Sequence, residues 1–249
     1  MQAQNKQTGF TLIEISIVLL VVSILLGYTM AFLPVQQELK QYRQVDDEMD
    51  NILGELIAFA QVAGRLPCPD NDDDGLEDVN AGPPITCTAV IGNVPARTMG
   101  IYGDLSDNGV LIDPWGRRYL YSVTASDVSA DNADFTTAGE MRNESIPNLA
   151  PDIDICNIQP AAHTAGAPSN DVDCDGGSEV VTDVVAVLIS QGKDQGGIVS
   201  DIQSENIDAD VVFVHTTRND SAGSEYDDVV KWISPNRLYS KMIEADQLP

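Results

Sequence analysis

The chain has 249 residues, with 13 Lys+Arg against 39 Asp+Glu, a formal net charge of −26 at pH 7. That surplus leaves no basic face of any size, which excludes phosphate-backbone binding by counterion release and disfavours adhesion to an anionic bilayer. With 43% apolar and 21% charged residues the chain can bury a core, so one or two folded domains are expected.

The charge is unevenly placed. Residues 1–9 carry only Lys6, residues 10–33 only Glu14, and residues 34–64 two basic and six acidic groups. The remaining 65–249 hold 10 basic and 32 acidic groups. From Ile15 to Leu33 no residue is charged. At ~1.5 Å per residue that run covers roughly 28 Å, close to a hydrocarbon core, and is too long for a secretory signal. Lys6 on the short side and acid beyond orient the N-terminus to the cytoplasm and 65–249 outside. Glu14 stands at the entrance to this run, where an unpartnered carboxylate is expensive. Two readings are open: it reaches water at the interface, or it awaits a cation such as the N-terminal amine of a neighbouring subunit.

The segment Lys6-Gln7-Thr8-Gly9-Phe10-Thr11-Leu12-Ile13-Glu14 resembles the processing site of type IV prepilins and type II secretion pseudopilins. The resemblance implies a 1–9 leader cut by prepilin peptidase between Gly9 and Phe10, followed by N-methylation of Phe10. It also makes Glu14 the assembly glutamate, paired with the Phe10 ammonium of an adjacent subunit. It implies a pilin fold, α+β, with a long N-terminal transmembrane helix packed on an antiparallel β-sheet head. The divisions are then leader 1–9, transmembrane and assembly helix 10–33, amphipathic continuation 34–64, and extracytoplasmic acidic head 65–249.

Val35, Leu39, Tyr42, Val45, Met49, Ile52, Leu53, Leu56, Ile57 and Ala60 recur every three or four residues, which predicts helix up to a Gly64 cap. Pro34 predicts a kink or local melting around Met30–Leu33. Beyond Gly64, Tyr119–Val123, Val180–Ile189 and Val211–Val214 read as strands. Ser234-Pro235 opens a closing helix over Asn236–Gln247. Asp113-Pro114-Trp115-Gly116 resembles an element of the major type II pseudopilin that leads into its first strand; read locally it is a tight turn with a core Trp.

The four cysteines all lie in the exported part, and their even number favours disulfides. Of three pairings, nearest neighbours favour Cys68–Cys87 and Cys156–Cys174; zinc is the alternative, but no C-x-x-C pair exists and only His163 and His215 could assist.

Three acid constellations are candidates for Ca²⁺, which takes six to eight oxygen ligands. Asp70, Asp72 and Asp74, followed by Gly75, resemble the start of an EF-hand loop, with Asp78 available, although Ala81 stands at position twelve. Asp171, Asp173 and Asp175 repeat the pattern before Gly176, with Glu179 near and Thr182 at position twelve. Solvated acidic loops are the alternative for both. Finally, Ile189–Asp194 and Glu225–Trp232 resemble the calcium-binding segments of the major pseudopilin, which carries the ligand role to Asp194, Asp227 and Asp228. Here a Gln195–Ser224 insertion separates the segments, and Lys193 adds a positive charge beside Asp194.

No enzyme signature occurs: G-x-S-x-G and H-E-x-x-H are missing, and Gly192-Lys193 lacks the rest of a phosphate loop. The expectation is a structural subunit of a pilus or pseudopilus. Its partners are other pilin subunits, the peptidase and an inner-membrane assembly platform, with no nucleic acid bound through the head. Size and cysteine-closed loops favour a minor pilin, whereas the head motifs favour a pseudopilin. The competing class is a bitopic receptor or enzyme with an uncleaved anchor.

Overall fold

Helix α1, Leu12–Ala63, dominates the computed structural model. The model describes residues 10–157, 174, 179–193, 201–207, 210–221 and 225–249, without the side chains of 29–34 and 201. Two compact units divide the chain, Met1–Arg43 and Gln44–Pro249.

In the first unit α1 continues as regular helix across Pro34. The expected melting at Met30–Leu33 is not observed, because a proline deletes one backbone donor while the bonds on either side still propagate the helix. Among the described residues no helix is long and apolar enough to cross a membrane. Residues 29–33 of the expected 10–33 span lie outside the described side chains.

In the second unit α1 ends where Gly64, at φ +69°, donates its N–H to Ala60 O, the left-handed cap that a residue without Cβ supplies cheaply. Val45, Met49, Ile52, Leu53, Leu56, Ile57 and Ala60 are all buried; Val35 and Leu39 of the same periodic stripe belong to the first unit, where they are exposed. The buried part packs on a four-stranded antiparallel sheet of order β1-β2-β5-β7. These strands are β1 (Ile91–Asn93), β2 (Leu120–Val123), β5 (Ala186–Ser190) and β7 (Val229–Ile233). Leu120 pairs with Ile189, and Val187 with Trp232. A second sheet has the order β4-β3-β6, from β4 (Glu179–Val184), β3 (Ile153–Cys156) and β6 (Val212–Val214). It is mixed, since β3 and β6 run parallel, so the head is antiparallel in every strand pair but this one among the described residues. Short helices α2 (Ala96–Met99), α3 (Glu140–Glu144) and α4 (Asp201–Glu205) lie between strands, and α5 (Pro235–Glu244) closes the chain.

Strand β5 explains how the layers stack. Successive strand residues face opposite sides. Ala186 and Leu188 join the α1 core, whereas Val187 and Ile189 join a second cluster with Ile153, Ile155 and Phe213. Both faces are covered, so the run is apolar without alternation. The expected single strand over Val180–Ile189 is therefore two strands in two sheets, separated by Val185, with Asp183 at φ +57° before the break.

Polar ties join α1 to this sheet. Lys231 Nζ lies 2.7 Å from carboxylate oxygens of both Asp46 and Asp50, and Tyr119 Oη donates to Glu48 at 2.6 Å.

Candidate functional site

The start of α1 is built around Thr11 and Glu14. Glu14 N–H points to Thr11 Oγ1 at 3.4 Å, and Thr11 N–H points to a Glu14 carboxylate oxygen at 3.5 Å. This is the reciprocal arrangement of a capping box, with Thr11 as cap and Glu14 three residues on. The helix dipole favours a carboxylate at that place. Sequence reasoning singled out Glu14 and missed Thr11, although T-x-x-E ahead of an apolar run is a readable signal. Phe10 is 77% exposed and Leu12 89%; Ile13, Ile15, Ile17, Val18, Leu19 and Leu20 are exposed as well. Apolar side chains therefore surround this helix segment on every side. The hydroxyls of Ser16 and Ser23 are spent within the helix: Ser16 Oγ donates to Ile13 O, and Ser23 Oγ to Leu19 O. Gly9 lies outside the described residues.

Both disulfides are formed, Cys68–Cys87 with Cα atoms 5.2 Å apart and Cys156–Cys174 at 5.7 Å. The first closes the acidic loop after α1. Within it the buried Asp70 accepts N–H bonds from Asp73 and Asp74 on one oxygen and from Gly75 on the other. Asp78 accepts from Asn71 and Asp72. The carboxylates that approach one another within 4.8 Å are those of Asp70, Asp72 and Asp78. Asp74, expected in the set, is not among them. Gly75 turns the chain at φ +81°, and Asp74 caps the turn by accepting from Leu76 N–H. Partial desolvation and the charges of Asp74, Asp78 and Asp70 push the Asp72 carboxyl up. Arg65 anchors the loop from within, donating twice to Glu77 at 2.7 and 2.8 Å while its guanidinium stacks 5.4 Å from the centre of the Phe59 ring. Asp131, Glu140 and Glu144 form another such grouping, which no sequence motif marks.

Two head motifs meet at the end of β5. Asp113 accepts from the N–H groups of Trp115 and Arg117 on one oxygen and from Ser190 Oγ on the other, while Arg117 donates to Gln191 O. Burial pushes the Asp113 carboxyl up, opposed by those bonds. Next to this turn, Gly192 at φ +65° packs so closely on Asp227 that a Cβ would fall 2.5 Å from it. Asp227 accepts from Lys193 N–H and from Gln203 Nε2, both at 2.6 Å. Asp228 accepts from Asn206 Nδ2 at 2.8 Å and faces Gln203 Nε2 at 3.5 Å. Burial first, then the charge of Asp227, pushes the Asp228 carboxyl up to about 7. The structure thus brings Asp227 and Asp228 together with two amides that sequence reasoning did not single out. Asp194, Asp171, Asp173 and Asp175 lie outside the described residues. His215 follows β6 with its ring edge-on to Trp232 at 5.7 Å, and burial pushes its imidazole down.

A family model for the prokaryotic N-terminal methylation motif matches residues 4–30. No curated protein and no solved structure matches the chain.

Proposed function

We propose, from the premise that residues 4–30 are the prepilin signature of type IV pilins and pseudopilins, that this chain is a structural subunit of a bacterial pilus or pseudopilus. The motif implies processing by prepilin peptidase and assembly with other pilins. Cleavage falls between Gly9 and Phe10, and the same peptidase methylates the new Phe10 amine. The uncharged run Ile15–Leu33 supports an inner-membrane precursor with a cytoplasmic N-terminus. An assembly platform then moves the subunit into a periplasmic or extracellular filament.

One observation carries the reading. The first turns of α1 expose apolar residues on every side, with a single carboxylate at the entrance. A carboxylate there becomes tolerable beside the Phe10 ammonium of an adjacent subunit, and that pairing sets the axial register of the helices. The head then forms the filament surface.

Mass spectrometry of the N-terminal peptide from the membrane-extracted protein tests this. N-methyl-Phe10 is the expected terminus; an intact Met1 overturns the reading and favours a bitopic receptor or enzyme with a retained anchor. Electron microscopy of sheared surface filaments then separates a minor pilin from a type II pseudopilin.

A further inference from the structure

The segments ending at Gly192-Lys193 and spanning Asp227-Asp228 are those whose resemblance implies a calcium ion. Ca²⁺ needs several oxygen lone pairs converging at ~2.3–2.6 Å, without positive hydrogens aimed at the same point. Among the described residues the donor set does not fit. Three of the four carboxylate oxygens of Asp227 and Asp228 have an N–H donor within 2.8 Å, and the fourth faces Gln203 Nε2 at 3.5 Å. Two of these donors are side-chain amides from the Gln195–Ser224 insertion, Gln203 on α4 and Asn206 just after it. Both are buried. Asn206 is itself fixed at both ends. Its Oδ1 accepts from Val214 N–H at 2.7 Å, and its Nδ2 also donates to Val214 O at 3.0 Å, so it pairs with the end of β6 as a neighbouring strand would. Tyr226 Oη donates to the same carbonyl at 2.6 Å. Buried polar groups linked in this manner stabilise and specify one arrangement only when each is satisfied.

We propose that the insertion supplies an amide clamp in place of a metal ion. Gln203 and Asn206 act as positioning residues that hold the Asp227-Asp228 segment against the Lys193 turn and the β6 edge, so this part of the head orders without calcium. An ion at the separate Asp70, Asp72 and Asp78 grouping would leave the clamp unaffected.

Residue-resolved hydrogen exchange on the full-length chain in detergent, in EGTA and in millimolar CaCl₂, tests the proposal. The Lys193 and Val214 amides, bound to Asp227 and Asn206, are expected to be protected in EGTA, with protection unchanged by calcium within about twofold. Protection that rises more than about tenfold with calcium overturns it. In a second arm, Gln203→Glu turns the donor into a like charge facing both carboxylates. The Lys193 amide is then expected to lose about tenfold or more of its protection in EGTA; wild-type protection in that variant overturns the clamp. If the variant does not fold, the wild-type comparison alone decides.

Discussion

Replacing Asp228 by Asn removes a titration that the fold makes unfavourable. Asp228 is 8% exposed, and burial followed by the neighbouring Asp227 charge raises its carboxyl from an ordinary 3.8 to about 7. A group whose folded value is raised contributes stability that is complete below the unfolded value and disappears as pH rises through the folded one. The window therefore runs from pH ~4 to pH ~7. A shift of that size sets a ceiling of roughly 4 kcal/mol. That raised value already contains the Asn206 donation to the ionised form, and relaxation around the charge brings the expected effect to about 2–4 kcal/mol. For a chain of this size that is on the order of 5–15 °C in Tm. The other acids of this −26 chain titrate in the same range, so the informative quantity is the difference between wild type and Asp228→Asn. Thermal unfolding of both full-length proteins in detergent and EGTA, followed by near-ultraviolet circular dichroism, measures it at pH 4 and pH 8. The two should melt closely at pH 4, and the variant should be the more stable at pH 8. A difference that does not change with pH, or that favours wild type at pH 8, would refute the reasoning, since the Asp228 charge would then be stabilised by a partner.

Three further outcomes are expected. Glu14→Ala should leave cleavage at Gly9 and methylation of Phe10 intact by mass spectrometry while abolishing filaments by electron microscopy. Arg65→Ala should leave the half-buried Glu77 without its bidentate partner and lower stability by ~2–4 kcal/mol in denaturant titration. The Cys68→Ser, Cys87→Ser double variant, which opens a link between residues 19 apart, should lose about 3 kcal/mol in the same titration and expose the 70–78 loop to proteolysis.

The parts of the fold legible in the sequence are a long single period, compact apolar runs such as those of β2 and β6, and the Ser234-Pro235 start of α5. The stripe from Val45 to Ala60 is the buried face of α1 because seven side chains at helical spacing outweigh any local preference. Strands β1 and β3 escape because Gly92 and Asn93 in the one and Asp154 in the other break any apolar run. The apolar run Val180–Ile189 reads as one strand because periodicity cannot register a chain that passes from one sheet to another at Val185. In the candidate sites, Glu14 is visible as a charge where charges are excluded. Of the acids that EF-hand spacing marks, the fold brings Asp70 and Asp72 close to the nearby Asp78, while Asp74 is not in that grouping. Gln203 and Asn206 are ordinary neutral residues within an insertion. Their importance arises only when folding buries them against two carboxylates.

The passage from β4 to β5 has a mechanical consequence for the proposed role in a filament, where a subunit would carry tension. Val184 ends one strand and Ala186 begins the next, so one residue joins the two sheets without slack. Val185 N–H, moreover, is held by Ile233 O of β7. A load applied to the β3-β4-β6 sheet is thus carried along a taut main chain directly into the centre of the sheet that rests on α1. Separating the sheets would require shearing the ladders on both sides of β5 at once, instead of peeling side chains apart one contact at a time.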